Sequence, residues 1–271
     1  MQTEQANEPG SGRWDPDKWI TDDDRSRSRT SFNLAGLREA VRPLDGTAAH
    51  AILDVGCGYG ALSCLVGEYL QATEVHGVDI DDRVVEGARA KGVLVVATDA
   101  GSEPLPYEDG TFDFVMSLGM MDYLVSFDGL IREMNRVLRP GGHVLIALPN
   151  LGSWNNRLAL AFGYQPRDVE ISSELLVGVP KRPYPGKRPA GHIHVPTVRA
   201  FEDLMDHHGF RSVAVTPGRP RKNTYSWPVE MADRLLSKRA TLARRFYYLG
   251  GKERVVPPPA KSAQLPYQTL P

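Results

Sequence analysis

The stretch Ala51-Ile52-Leu53-Asp54-Val55-Gly56-Cys57-Gly58-Tyr59-Gly60-Ala61 runs a short apolar strand into three glycines at alternate positions and then into a helical pattern. A side chain at those glycines would hold a ligand off the backbone, and a sharp strand-to-helix turn needs backbone angles that only glycine reaches at little cost. A loop of this kind can cradle an adenosine-containing cofactor.

Outward from this loop, strands and helices alternate. His50 to Val55 reads as the first strand, followed by a helix with Leu62, Leu65, Val66, Tyr69 and Leu70 on one face. Glu74 to Ile80 is the second strand, and Asp81 caps a helix with Val84, Val85 and Ala88 that halts near Gly92. Val93 to Thr98 is the third strand and Phe112 to Leu118 the fourth, after the turn signal Glu108-Asp109-Gly110. A helix of Leu130, Ile131, Met134, Val137 and Leu138 stops at Pro140-Gly141-Gly142, and His143 to Leu148 is the fifth strand. Upstream, Phe32, Leu34, Leu37 and Val41 predict a helix ended by Pro43. Downstream, Trp154 to Phe162 is helical in pattern, and Thr197 caps a helix with Val198, Phe201, Leu204 and Met205. Phe210 to Thr216 and Arg245 to Leu249 are two further strands, separated by a helix of about Val229 to Leu242. Apolar runs between amphipathic helices imply a parallel sheet covered on both faces. The fold class is therefore α/β: a Rossmann-like, seven-stranded, mostly parallel sheet with helices on both faces, whose last two strands can run antiparallel.

The 271 residues, 41% hydrophobic and 24% charged, suit one α/β domain with extensions. Lysine plus arginine (32) nearly cancel aspartate plus glutamate (33), so no global positive field points to nucleic acid. Cys57 and Cys64 lack CxxC spacing and nearby histidines, which indicates neither a metal site nor a disulfide framework. No apolar run approaches the roughly 18 residues of a membrane helix, and the polar N-terminus lacks a leader pattern. The expected location is the cytoplasm, with no membrane partner. The expected organisation is an extension over residues 1–30, partly disordered, a domain over 31–253 with a lid at 163–196, and a proline-rich disordered tail at 254–271.

Four motifs in order resemble the class I S-adenosylmethionine-dependent methyltransferases, of the type 11 kind, over about residues 31 to 253. Leu53 to Gly60 looks like the family's first motif, and Val78-Asp79-Ile80 like the acidic end of its second strand. Thr98-Asp99-Ala100 resembles the adenine-side motif, and Leu138-Arg139-Pro140-Gly141-Gly142-His143 the turn into strand five. The resemblance implies S-adenosylmethionine as cofactor, with S-adenosylhomocysteine as product, held by Asp54, Gly56, Cys57, Gly58, Gly60, Asp79, Ile80, Asp99, Ala100, Ser117 and Gly119. Asp79 lies 19 residues after Gly60, where a carboxylate can accept from both ribose hydroxyls. By resemblance Asp99 accepts from the adenine amino group, and a plain turn cap is its alternative. Asp54 by resemblance orients the loop and the cofactor's ammonium, and it could equally cap the strand end. Gly56-x-Gly58-x-x-Ala61 also satisfies a relaxed dinucleotide pattern, so an NAD(P)-dependent oxidoreductase is a rival. Against it, the loop is GxGxG and the Asp99 and Arg139-Pro140-Gly141-Gly142 features have no role in nicotinamide binding. Some stretches also resemble methionine-biosynthesis-type methyltransferase-like proteins, which keeps a non-catalytic cofactor-binding regulator or partner protein as another alternative.

The implied reaction is methyl transfer to an oxygen or nitrogen of a small-molecule acceptor. Its site should lie beyond the carboxyl ends of strands four and five. There Asp122 and Tyr123 are candidates for substrate contact or proton transfer, the alternatives being a helix cap and a packed ring. In Gly191-His192-Ile193-His194-Val195-Pro196-Thr197 the histidines stand at i and i+2, on one side of an extended chain, and titrate near neutral pH. His192 or His194 is the best general-base candidate, with a solvated surface strand as the alternative. The run Lys181-Arg182-Pro183-Tyr184-Pro185-Gly186-Lys187-Arg188 could draw an acidic acceptor, a carboxylate or phosphate. Asn/Asp-Pro-Pro-Tyr/Phe and Pro-Cys signatures are missing, which argues against nucleic-acid bases as acceptors. Oligomeric state is not written in the sequence.

Overall fold

A strand covered on both faces has no polar side to offer, and β1 (Ala51–Val55) is buried at all five positions. It is the centre of a seven-stranded sheet in a computed structural model that describes residues 14–21, 33–179, 188–218 and 227–257. The other strands are β2 (Glu74–Asp79), β3 (Leu94–Ala97), β4 (Phe112–Leu118), β5 (Leu138–Pro149), β6 (Phe210–Pro217) and β7 (Arg245–Lys252). Their order is β3-β2-β1-β4-β5-β7-β6. The first five run parallel, and β7 is antiparallel to both β5 and β6.

The helices are α1 (Pro16–Trp19), α2 (Leu34–Val41), α3 (Ala61–Tyr69), α4 (Asp82–Ala90), α5 (Asp128–Val137), α6 (Trp154–Ala161), α7 (Val198–His207) and α8 (Trp227–Leu236). On one face, Leu130, Ile131 and Met134 of α5 and Phe201 and Met205 of α7 pack on Leu53, Val115, Val144 and Ile146. On the other, Leu37 and Val41 of α2 and Val66 and Tyr69 of α3 cover Ile52, Phe114, Met116 and Leu145. Alternate residues along each strand thus feed alternate layers. Val85 and Ala88 of α4 close a smaller cluster with Cys57, Val93 and Val95.

Three elements differ from the sequence pattern for identifiable reasons. The helix expected to include Leu138 ends at Val137, because Leu138 takes an extended conformation and pairs with Phe112. The register then slips at the Pro140-Gly141-Gly142 turn, so that Phe114 faces His143. The helix expected to reach Leu242 ends at Leu236, and the carbonyls of Ala240 and Ala243 turn instead to the buried side chain of Asn150 (3.1 and 2.8 Å). Within the expected N-terminal extension, Asp15 caps α1, Trp19 Nε1 and Lys18 Nζ bond Glu68, and Ile20 is buried against Ala61 and Leu65. Phe32, the basic stretch 181–187 and the chain from 258 lie outside the described residues.

Gly60 caps α3 with φ +74°, and a Cβ there would stand 2.9 Å from Val93 Cγ2 and 3.1 Å from Ala88 Cα. Gly92 has φ +89° but open space around it. Gly60→Ala is expected to lose about 2–4 kcal/mol, from the left-handed penalty plus overpacking. Gly92→Ala should lose only the first part, about 1–2 kcal/mol. Denaturant unfolding of both variants checks the difference, and equal losses would remove the packing role of Gly60.

Candidate active site

The strand order reverses between β1 and β4, and the loops leaving them diverge into a crevice at the carboxyl edge of the sheet. On the β1 side the glycine loop is pinned to β2. Gly56 N and Cys57 N both donate to Val78 O (2.8 and 3.1 Å), and Gly58 N donates to Asp79 Oδ2 (2.8 Å). Gly58 is left-handed at φ +52°, and a Cβ on it would meet nothing within 4 Å, so its free side is open to a ligand. Gly56 is closed instead, since a Cβ there would lie 2.6 Å from Met120 Cβ in the loop after β4.

The other expected cofactor residues gather on the same edge. Asp79 is half-buried and accepts from Gly58 N and, at Oδ1, from Asp81 N (3.0 Å). Each carboxylate oxygen retains a second lone pair. Ile80, next along, is 69% exposed. After β3, Asp99 accepts from Gly101 N (2.9 Å) and Ser102 Oγ (2.7 Å), so its side chain caps the turn, and Ala100 is buried beside it. At the end of β4, Ser117 Oγ is buried without a partner and Gly119 is left-handed at φ +97°. The Cys57 thiol points away from the crevice, under β2, where a Cβ on Gly77 would come within 2.7 Å of it. Burial pushes that thiol well above its ordinary pKa, so Cys57 can meet a ligand only through its backbone.

Beneath the loop sits Asp54, 3% exposed. Its Oδ2 accepts from Ser63 Oγ at 2.6 Å, and its Oδ1 is buried with no partner. Burial raises its pKa to about 7; the Ser63 bond opposes that rise and the nearby Asp79 charge adds to it. An orphaned carboxylate oxygen, an open left-handed glycine and lone pairs left on Asp79 fit a ligand carrying an ammonium and vicinal hydroxyls.

On the β4 side a single turn, Met121–Tyr123, holds Asp122 at 1% exposure. Asp122 Oδ2 lies 3.1 Å from His192 Nε2, while Asp122 Oδ1 and His192 Nδ1 are buried without partners. Asp122 O also accepts from Ile193 N (2.7 Å) and His194 N (3.3 Å), so backbone and side chain both fix the histidine segment to this turn. The Tyr123 ring lies 5.5 Å from that of His192, and His194 Nε2 lies 2.7 Å from Val125 O. Burial raises the Asp122 pKa, opposed by the charges of Arg245 and His192 and reinforced by Asp168.

Sequence reasoning missed three groups here. Glu170 accepts from Ala190 N (2.6 Å), Gly191 N (2.5 Å) and His192 N (3.3 Å), clamping the backbone that carries His192. Arg245 and Asp168 both act on Asp122 through their charges. Glu170 and Asp168 lie in a segment without a pattern of its own, and Arg245 opens a strand whose pattern says nothing of where its charge lands.

Comparison with known proteins fits this geometry. Residues 53–146 match a family model described as a methyltransferase domain. A methyltransferase of Streptomyces halstedii, GfsG, is 36% identical over 110 residues, 38% of this chain and 39% of that one. The demethylmenaquinone methyltransferase of Staphylococcus aureus is 35% identical over 125 residues, 41% and 49% of the two chains. The phthiotriol/phenolphthiotriol dimycocerosates methyltransferase of Mycobacterium leprae is 28% identical over 161 residues, 56% and 54%. The chain thus spans about half or less of the length of these relatives. An S-adenosylmethionine-dependent methyltransferase structure from Mesorhizobium loti superposes with a TM-score of 0.53 at 18% identity, covering 80% of this chain and 97% of that one. One from Thermotoga maritima gives 0.54 at 18%, covering 82% and 89%. At that identity the structures speak for the fold, and the sequence matches speak for the family. Residues 53–146 thus match a methyltransferase domain, on a fold shared with S-adenosylmethionine-dependent methyltransferase structures, and S-adenosylmethionine is the cofactor that these matches indicate.

Proposed function

We propose that the chain transfers a methyl group from S-adenosylmethionine to an oxygen or nitrogen of a small-molecule acceptor, with His192 receiving the proton that the acceptor gives up. The observation that carries this reading is the buried His192–Asp122 pair beyond the end of β4. Bound S-adenosylmethionine supplies a methyl group on a sulfonium, an electrophile already activated. The chain's own share is to hold a nucleophile in line, exclude water and take a proton.

For the cofactor, Asp79 offers its remaining lone pairs to the ribose hydroxyls and Gly58 its open backbone. Ile80 offers an apolar face beside the ribose site. Asp54 offers an unpartnered oxygen to the ammonium. Asp99 keeps a free lone pair on each oxygen for an exocyclic amine, beyond its turn bonds. Ser117 and Gly119 border the crevice from β4.

For the acceptor, a bond from His192 Nε2–H to Asp122 leaves Nδ1 as the lone-pair nitrogen. Asp122 is then a positioning residue: it fixes the tautomer and steadies the imidazolium formed when the acceptor's proton arrives. Tyr123 packs on the ring. Two relatives are named for a demethylmenaquinone and for phthiotriol/phenolphthiotriol dimycocerosates, neither a nucleic acid nor a protein, which supports a non-polymeric organic acceptor.

Two predictions follow from these roles. Asp54 in the folded chain titrates near 7, above the ordinary value of about 3.9. The stability tied to its proton is therefore full below about pH 4 and lost as pH rises through about 7. Pairing with an ammonium favours the ionised form, so affinity for S-adenosylhomocysteine should run the other way, about tenfold tighter at pH 8 than at pH 6. Titration calorimetry of the wild type and Asp54→Asn decides it, because the variant should lose the pH dependence. The second concerns the histidines. His192→Ala should lower turnover by about 10²–10⁴-fold with S-adenosylhomocysteine affinity changed less than twofold. His194→Ala, losing an anchor to Val125, should stay within about tenfold of wild type. The readout is a product 14 Da heavier, using an acceptor found by metabolite screen, and undiminished turnover in His192→Ala would remove the proton-acceptor role.

A further inference from the structure

We propose that the acceptor has a hydrocarbon body, and that the described parts of the lid, together with the turn after β4, form the wall on which that body lies. The proposal rests on the reading above that the acceptor's reacting atom arrives at His192.

Surface segments ordinarily turn apolar side chains inward and leave charges in water. The chain following α6 departs from this. Several of its polar groups bond one another and the backbone. Arg167 pairs with Asp168 at 3.1 Å, Gln165 Nε2 donates to Val169 O at 2.6 Å, and Glu170 accepts the three amides of residues 190–192. Beside the exposed Ser173 and Glu174, apolar side chains face solvent too: Phe162 and Ile171 are each 75% exposed, and Leu175 and Ile193 are exposed as well. Tyr123 and Val125, exposed in the turn after β4, extend the same surface.

Four of these six lie on or next to the segments bonded to the pair or to its neighbour His194. Ile193 stands between the two histidines and donates its N–H to Asp122 O. Tyr123 follows Asp122 and packs on the His192 ring, Val125 O holds His194, and Ile171 follows the Glu170 that clamps His192. Scattered exposed apolar residues need no account, but a set gathered around buried polar chemistry does. This continuity with the pair identifies the occupant, since whatever covers these side chains lies across the way to His192. Arg245, the cation acting on Asp122, is opposed by that carboxylate.

The test uses the full chain saturated with S-adenosylhomocysteine and a series of 4-n-alkylphenols from methyl to octyl, with affinities from titration calorimetry. Affinity is expected to rise about fourfold per added methylene over the first several carbons. The double variant Ile171→Ser/Ile193→Ser, and separately Phe162→Ser, should flatten that slope. Both should bind S-adenosylhomocysteine as the wild type does, which confirms that they fold. Affinity independent of chain length, or a slope unchanged in both variants, would overturn the proposal. Co-sedimentation with phosphatidylglycerol vesicles, abolished by the same substitutions and without a chain-length slope, would assign the surface to a membrane and overturn it. A concentration-dependent dimer abolished in the same way would assign it to a second copy of the chain and also overturn it. Failure of the underlying reading shows elsewhere: undiminished turnover in His192→Ala removes the proton acceptor while the chain-length slope still stands or falls by itself.

Discussion

A parallel sheet brings the carboxyl ends of its strands to one edge, where backbone pairing stops, and the candidate active site hangs on how that edge is closed. At β1 the closure is a carboxylate: Asp79, from the neighbouring strand, takes the Gly58 amide and so fixes the loop from below. At β4 it is a single turn that presents Asp122 with its carbonyl and its carboxylate both facing the histidine segment. At β5 the closure depends on topology. An antiparallel strand begins where its parallel neighbour ends, so β7 delivers its first residue, Arg245, opposite Pro149 at that same edge. A seventh strand running parallel would have started at the far side and left Asp122 without this cation.

The two buried aspartates show how one constraint serves two purposes. Both lie in low-dielectric surroundings that disfavour ionisation. Asp54 has only the Ser63 hydroxyl in its favour and the like charge of Asp79 against it, so its ionised form has no positive partner among the described residues. Asp122 has Arg245 and His192 to offset its burial, with Asp168 against it. The first carboxylate is left with an unpartnered oxygen, and the second is already supplied with cationic neighbours. A buried carboxylate with neither arrangement would cost several kcal/mol.

What could be read from the sequence was what the chain writes locally. Apolar runs between amphipathic helices gave β1 to β4 to within one residue at each end, because a doubly covered strand leaves no other pattern. The glycine loop was legible for the same reason, and so was Asp79, since the length of a βα unit sets its distance. Contacts that reach across the chain were illegible. Beyond the end of α8 the chain turns so that the Ala240 and Ala243 carbonyls accept from Asn150, a residue ninety or more positions away. Glu170 leaves no trace because its partners are backbone amides, which carry no side-chain code. The docking of α1 did have a signal, Asp15 before Pro16, an N-cap followed by proline in the first turn, lying in a stretch whose composition drew attention away from it.

The spacing of His192 and His194 carried both imidazoles to the same segment, yet their partners make them chemically unequal. A backbone carbonyl only accepts, so His194 keeps a proton on Nε2 whatever its charge, and protonation of its other nitrogen gains nothing beyond a somewhat stronger neutral-acceptor bond. A carboxylate answers the second proton with a full opposite charge. The Asp122 bond, charge-assisted already with a neutral ring, becomes an ion pair as His192 turns into an imidazolium. Burial sharpens the distinction, because an imidazolium removed from water needs that counter-charge and one in water does not. Of the two rings, only the one held by Asp122 meets a full counter-charge when it receives a proton.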